Sequence, residues 1–124
     1  MRHLFLITVF LSGAAHAAKP SLVYPPLTSD LFMRVMLCES NNAVCKVGDD
    51  GISVGAVQFT EATFYRLGKL ARKNLVRRGL LRSSEKLHWL NTGHQLMVAH
   101  WAMSNGWGHE WTCYRKVTGV RRPR

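Results

Sequence analysis

Glu39 is the residue whose type and surroundings best fit acid–base chemistry in this chain. The spacing of Phe32, Met36 and Glu39 places its carboxyl on the apolar face of a helix, near the C-terminal end. Burial beside apolar neighbours raises a carboxyl pKa, and the negative end of the helix dipole acts in the same direction. A glutamic acid that stays protonated near neutral pH can donate a proton to a leaving oxygen. The same spacing also fits a half-exposed glutamate that merely ends a helix.

A short segment after this glutamate carries polar and glycine residues in a fixed order: Glu39-Ser40, then Ser53-x-Gly55-x-x-Gln58. The order resembles the Glu-Ser … Gly-x-x-Gln signature of lysozyme-like lytic transglycosylases. The resemblance implies cleavage of the β-1,4 bond between N-acetylmuramic acid and N-acetylglucosamine in peptidoglycan strands, with Glu39 as general acid and base and 1,6-anhydro products. It also implies that Gln58 faces Glu39 across a cleft, with Ser40 and Ser53 assisting. Gly55 would let the backbone approach the glycan closely.

The C-terminal part of the chain extends this resemblance, which covers roughly residues 30–114. Compact phage and bacterial members of the family carry a cysteine directly before Glu-Ser and a His-x-Trp-Thr-Cys segment near the C-terminus. Cys38 and the segment from His109 to Cys113 match these features. The resemblance implies a Cys38–Cys113 disulfide, whereas the cysteine count alone leaves a Cys45–Cys113 pair open. The Ala-Tyr-Asn motif of larger members has no counterpart, because no tyrosine stands in register at 102–106.

Aromatic residues are concentrated near the C-terminus. Trp107 and Trp111 offer ring faces that suit sugars, and their indole N–H groups can donate hydrogen bonds. The alternative is that these rings complete a small core. We expect no cofactor and no metal site, because no cysteine and histidine occur at close paired ligand spacings.

Local signals predict the elements that must position these residues. Thr28 or Ser29 can cap a helix over residues 30–40, and a Gly-Asp-Asp-Gly turn at 48–51 follows it. The segment up to Phe59 predicts a short extended turn. A second helix is expected after a Thr60 cap, with a stop at Gly79 and with Phe59 and Phe64 as a hydrophobic staple.

A third helical region is predicted from about Ser84 to Ser104, with a break near Asn91 and a capping box at 92–95. Its expected inner stripe consists of Leu87, Leu90, His94, Met97 and Trp101. Residues 115–124 are expected to form a loose basic tail. The elements favour an α+β, predominantly helical domain over residues 30–114. The resemblance implies a lysozyme-like fold with a minimal sheet or turn region across the cleft.

The N-terminus has the pattern of an export signal. Arg2 and His3 precede an apolar run, and Ala15-His16-Ala17 supplies the small residues that a signal peptidase reads. We therefore expect a signal peptide at 1–17, a proline-containing lead-in at 18–29, and a periplasmic or secreted protein. An uncleaved N-terminal anchor is the alternative. After cleavage the chain is expected to be a monomer with no stable membrane span.

The charge balance constrains the partners. The chain has a formal net charge of +10 at pH 7, which implies attraction to polyanions. Because export argues against nucleic acid, the charge favours the cell envelope, whose anionic polymers are possible partners, and the resemblance implies peptidoglycan glycan strands as the partner. Positive charge that serves only solubility is the alternative. The predicted second helix carries a strongly basic face, formed by Arg66, Lys69, Arg72, Lys73, Arg77 and Arg78.

Three other functions compete with the transglycosylase. A hydrolytic muramidase needs a second carboxylate, about 5 Å from the first if retaining and ~6.5–9.5 Å if inverting, and Asp49 and Asp50 are the only acids within a short loop of Glu39. A non-catalytic peptidoglycan-binding or envelope-assembly protein is a second competitor. The presence of both Glu39 and Gln58 argues against such a binding protein. A cationic membrane-active protein is the third, and it would need a dominant amphipathic basic helix.

Overall fold

The computed structural model describes residues 24–124, so the predicted signal peptide and most of the lead-in lie outside the described residues. This part of the chain is α+β and about half helical, which confirms the predicted fold class at that level. A small three-stranded antiparallel sheet lies between the first two helices in the chain. The elements are α1 (Ser29–Ser40), β1 (Val47–Gly48), β2 (Ser53–Val54), β3 (Phe59–Thr60), α2 (Glu61–Arg77), α3 (Thr92–Ser104) and α4 (Thr112–Thr118).

Helix α1 is capped by Thr28, one of the two predicted caps, and ends at Ser40 as predicted. The Thr28 hydroxyl accepts a hydrogen bond from the Leu31 N–H at 3.1 Å, which satisfies one of the donors left free in the first turn. The helix starts at Ser29, one residue before the predicted start. At the other end Asn41 adopts a left-handed conformation with φ 53°, and its N–H donates to the Leu37 carbonyl. This cap turns the chain sharply just after Glu39 and Ser40.

The sheet has three strands of two residues each, which agrees with the predicted minimal sheet or turn region. Val47 pairs with Val54, and Val54 pairs in turn with Phe59. A short 3-10 helix, Asp49–Gly51, joins the first two strands.

Helix α2 confirms the predicted start signals. The Thr60 hydroxyl accepts a hydrogen bond from the Thr63 N–H at 3.3 Å. The rings of Phe59 and Phe64 pack edge to face with centroids 5.4 Å apart, as a hydrophobic staple requires. The helix ends at Arg77, and Gly79 follows with φ +72°, the left-handed conformation that glycine adopts without strain.

The predicted break near Asn91 is confirmed and marks the start of the third helix, whereas the helical turns predicted from about Ser84 are absent because residues 82–91 form a loop. The Arg72 guanidinium donates hydrogen bonds to the carbonyls of Ser83 and Glu85, and these bonds hold the loop against α2. The N-cap is Asn91, whose side chain accepts from the His94 N–H at 2.9 Å. The predicted capping box is therefore wrong: the Gln95 amide does not return to the helix start but donates to the Trp89 carbonyl.

The buried face of α3 also differs from the predicted stripe. Leu90 lies outside the helix and is exposed. Apolar residues occur on every side of this helix, so their period does not select one face. Packing against the rest of the domain selects the buried face. Its residues are His94, Gln95, Val98, Ala99, Ala102 and Met103.

Helix α4 continues the domain beyond residue 114, into the stretch expected to be a loose tail. Its residues up to Thr118 are helical. Tyr114 is fully buried, and Val117 and Val120 pack against the core. The core itself is shared by all four helices and the sheet. Within residues 24–124, no helix is both long and apolar enough to cross a membrane.

Candidate active site

Glu39 lies in the last turn of α1, close to helix α4. Its carboxylate accepts a hydrogen bond from the backbone N–H of Cys113, with 3.1 Å between that nitrogen and Oε1. The ammonium of Lys46 donates to the Glu39 backbone carbonyl at 3.2 Å, so a cation stands at the negative end of the helix. The side chain of Glu39 is half-buried. The structure thus places an ionisable carboxyl between two helices that lie far apart in sequence.

Competing effects set the acidity of Glu39. Burial is the largest and raises its pKa, while the hydrogen bond from Cys113 opposes it. The nearby Asp49 carboxylate raises the pKa, and the charges of Lys116 and Lys46 lower it. The net result is a raised pKa, which is the direction predicted from the position of Glu39 on the apolar face. The carboxyl is therefore biased towards its protonated form, with groups nearby that stabilise its anion.

A disulfide joins Cys38 to Cys113, with 5.7 Å between their Cα atoms. This is the pairing that the resemblance implies, and the alternative Cys45–Cys113 pair is wrong because Cys45 is a free, exposed thiol. The bond connects the residue before Glu39 to the residue whose N–H holds the Glu39 carboxylate. It therefore fixes the carboxylate and its donor together.

Ser40 and Ser53 make internal hydrogen bonds beside Glu39. The buried Ser40 hydroxyl is 2.5 Å from the Ala56 carbonyl and joins α1 to the turn between β2 and β3. The Ser53 hydroxyl, also buried, donates to Asp49 Oδ2 at 2.7 Å. Both serines thus position the elements around Glu39. Ser53 also orients the Asp49 carboxylate, whose charge raises the pKa of Glu39.

Gln58 is held by the loop on which it stands. Its backbone has φ 51°, a left-handed conformation that is uncommon for a residue with a side chain. Its amide Nε2 donates to the carbonyls of Gly55 and Lys46, at 2.8 and 3.1 Å. These bonds tie the turn after β2 to the segment before β1. The amide donors are therefore engaged with the backbone, and the structure shows no hydrogen bond between Gln58 and Glu39.

Gly55 is buried, and the space where a side chain would stand is filled by the amide of Gln95 from α3. Gly55 also has φ +94°. The group that approaches the Gly55 backbone closely is therefore the Gln95 side chain. Gln95 was predicted only as the last residue of a capping box, and nothing in the sequence indicated its contact with Gly55.

The two tryptophans of the C-terminal segment differ in exposure. Trp111 is 4% exposed, packs edge to face on Phe59, and donates its indole N–H to the Val57 carbonyl at 2.9 Å. It is a core residue. Trp107 is half-buried, and the Arg66 guanidinium lies over its ring at 5.7 Å from the centroid. Trp107 therefore keeps a partly accessible ring, whereas Trp111 has none.

A cavity of about 500 Å³ lies between the turn after β1 and the start of α2. Sequence reasoning did not single out its principal aromatic residue, Trp89, whose indole N–H donates to the Phe59 carbonyl at 3.0 Å. The exposed Ile52 supplies a further apolar surface. The lining residues are Gly51, Ile52, Thr60, Glu61, Ala62 and Trp89.

His94, predicted to be a packing residue, is buried and makes two hydrogen bonds through its ring. Its Nδ1 accepts from the His88 N–H at 2.9 Å, and its Nε2 lies 2.8 Å from Glu85 Oε2. Across residues 24–124, no group of three or more His, Cys, Asp or Glu side chains stands close enough together to hold a metal ion.

Comparisons with known proteins returned nothing for this chain: no family model, no curated protein and no solved structure matches it.

Proposed function

We propose that this protein is an exported peptidoglycan lytic transglycosylase of lysozyme-like fold, with Glu39 as its general acid and base. One observation carries the proposal: Glu39 is a half-buried carboxyl whose pKa is raised by burial, yet it keeps a backbone donor from Cys113. A group that must give up a proton and then take one back needs both its neutral and its anionic form to be accessible. The Cys38–Cys113 disulfide is compatible with an oxidising compartment.

The proposed reaction uses one carboxyl twice. Protonated Glu39 gives its proton to the glycosidic oxygen, and the bond from that oxygen to the muramic C1 breaks. The carboxylate then accepts the proton of the muramic 6-hydroxyl, whose oxygen bonds to C1 and closes the anhydro ring. Burial and Asp49 favour the proton donor, whereas the Cys113 N–H, Lys46 and Lys116 favour the anion between the two transfers. No water and no second catalytic carboxylate enter this sequence.

Hydrolysis by a muramidase is the second candidate, and Asp49 is the observation that favours it. The Asp49 carboxylate is near enough to Glu39 to raise its pKa, and the Ser53 hydroxyl fixes its orientation. In a hydrolase such a carboxylate would activate water or attack the sugar.

Product analysis separates the candidates. Purified peptidoglycan is digested with the wild-type protein, with Glu39→Gln and with Asp30→Asn, and the soluble products are resolved by mass spectrometry. Asp30 lies on the same helix in the first turn and is exposed, so its variant loses the same charge away from the site. We expect anhydro products from the wild type and Asp30→Asn, and at least a hundredfold less from Glu39→Gln.

Reducing-end products that disappear in Asp49→Asn would establish the muramidase instead. A folded wild-type protein that binds the wall polymer but releases no product would refute both enzymes and leave a binding protein.

A further inference from the structure

A second cavity, of about 410 Å³, lies on helix α4 and the segment that follows it. No carboxylate lines it, and four of its seven lining residues are cations. The lining residues are Thr112, Arg115, Lys116, Gly119, Val120, Arg121 and Arg122. Four positive charges around one concave surface repel each other, and an anion bound among them would relieve that repulsion.

Within residues 24–124, no carboxylate forms an ion pair with the cations that line this cavity. The ion pairs found in residues 24–124 are Arg66–Glu110 and His94–Glu85, and neither involves the cavity. The sequence contains no Asp or Glu after Glu110, nor any before Asp30. The Arg115 guanidinium donates to the Thr112 hydroxyl at 3.0 Å, which holds one of its donors and leaves others free.

The cavity adjoins the candidate active site. Thr112, on its wall, directly precedes Cys113, whose N–H donates to the Glu39 carboxylate. The Lys116 side chain lines the cavity, and its charge also acts on Glu39. A ligand group in this cavity would therefore lie beside a substrate bond positioned at Glu39.

We propose that the cavity binds a carboxylate of the peptide carried by the substrate glycan. The inference rests on the proposed function, because it takes peptidoglycan as the substrate. Muramic acid carries its peptide on the same sugar whose C1 is cleaved, so the peptide carboxylates stay close to the scissile bond. Arginine binds carboxylates through paired N–H donors. A phosphodiester polymer fits less well, since its evenly spaced charges call for an extended basic track rather than one local cluster of four cations.

The test measures binding without turnover, in the full chain carrying Glu39→Gln. The probes are soluble peptidoglycan strands with their peptides, and the same strands after an amidase has removed the peptides and the lactyl carboxylates that this exposes have been converted to neutral amides. Arg121→Gln/Arg122→Gln is added to remove two cations of the cavity. Arg34→Gln/Arg82→Gln is the matched control, because both arginines are exposed, lie outside the cavity and carry the same charge.

We expect tighter binding of the peptide-bearing strands than of the stripped strands. The Arg121/Arg122 variant is expected to weaken binding of the peptide-bearing strands about fivefold, the change that follows from losing two exposed ion pairs. It should leave binding of the stripped strands unchanged, and the control should change neither.

Equal binding of both strands by the Glu39→Gln protein would overturn the proposal. An equal loss in the Arg34/Arg82 control would also overturn it, because binding would then follow net charge alone. A poly(glycerol phosphate) chain that displaces both strands equally would assign the cavity to a phosphodiester instead. If the wild type cleaves nothing but the expected binding pattern holds, the carboxylate site stands and the proposed transglycosylase fails.

Discussion

Removing the disulfide between α1 and α4 is the perturbation with the largest expected effect on stability. The two cysteines are 75 residues apart in sequence. In the chain-entropy model, releasing a loop of that length lowers the free energy of unfolding by about 4.5 kcal/mol at 25 °C. A domain of this size is stable by only about 5–15 kcal/mol. Cys38→Ser/Cys113→Ser should therefore lose between a third and nearly all of its stability.

The measurement is urea denaturation, followed by tryptophan fluorescence without reductant. We expect the midpoint of the double variant to fall sharply, and the wild type to follow it when a reductant is added. Cys45→Ser is the control. Because Cys45 is exposed and unbonded, its variant should lie within about 0.5 kcal/mol of the wild type.

Under the proposed function, the pH profile of peptidoglycan cleavage provides a second measure of the same bond. Without the disulfide, Cys113 is held less firmly and its N–H stabilises the Glu39 carboxylate less. Since that hydrogen bond lowers the pKa of Glu39, the pKa should rise further, and the fall of activity on the alkaline side should move to higher pH. A double variant that keeps the wild-type midpoint, or a Cys45→Ser variant that loses as much stability, would refute the assigned role of the disulfide.

Three further predictions concern packing and ionisation. Gly55→Ala should lower the free energy of unfolding by ~2–4 kcal/mol, because the new Cβ overlaps the Gln95 amide and φ is +94°. Gly51→Ala has a φ of +93° but open space around it, so it should lower the free energy of unfolding by about 1 kcal/mol. Equal losses in urea denaturation would contradict the packing argument. Glu39→Gln should melt at a higher temperature than the wild type at neutral pH. Burial raises the pKa of Glu39 above its ordinary 4.5 in the folded state. The wild type therefore loses stability as pH rises from 4.5 through the raised pKa, and the difference in melting temperature between the two proteins should vanish below pH 4.5. Tyr114→Phe should keep or raise the free energy of unfolding, because the buried hydroxyl has no hydrogen-bond partner in the part of the chain that the structure describes; a loss above about 1 kcal/mol would indicate a hydrogen bond to that hydroxyl.

The starts of the first two helices follow from local sequence. Thr28 and Thr60 cap their helices through residues three positions on, and Phe59 meets Phe64 across one turn. These contacts join residues close in the chain, so spacing alone predicts them. The loop at 82–91, part of which was expected to be helical, is held instead by Arg72, a residue of α2 that donates to the carbonyls of Ser83 and Glu85. Spacing within that loop carries no sign of this contact.

The candidate site likewise combines a feature that local sequence predicts with features that depend on tertiary packing. The sequence by itself determined that Glu39 ends an amphipathic helix on its apolar side, because helical periodicity is a local property. Only the tertiary structure decided which groups surround the carboxyl: the Cys113 N–H that binds it, the Asp49 and Lys116 charges that oppose each other, and the burial that raises its pKa. Likewise, the packing of α3 decided that the space at Gly55 is filled by Gln95. The physical reason is that desolvation and Coulomb interactions depend on distances in space, which residues far apart in the chain acquire only when the helices pack together.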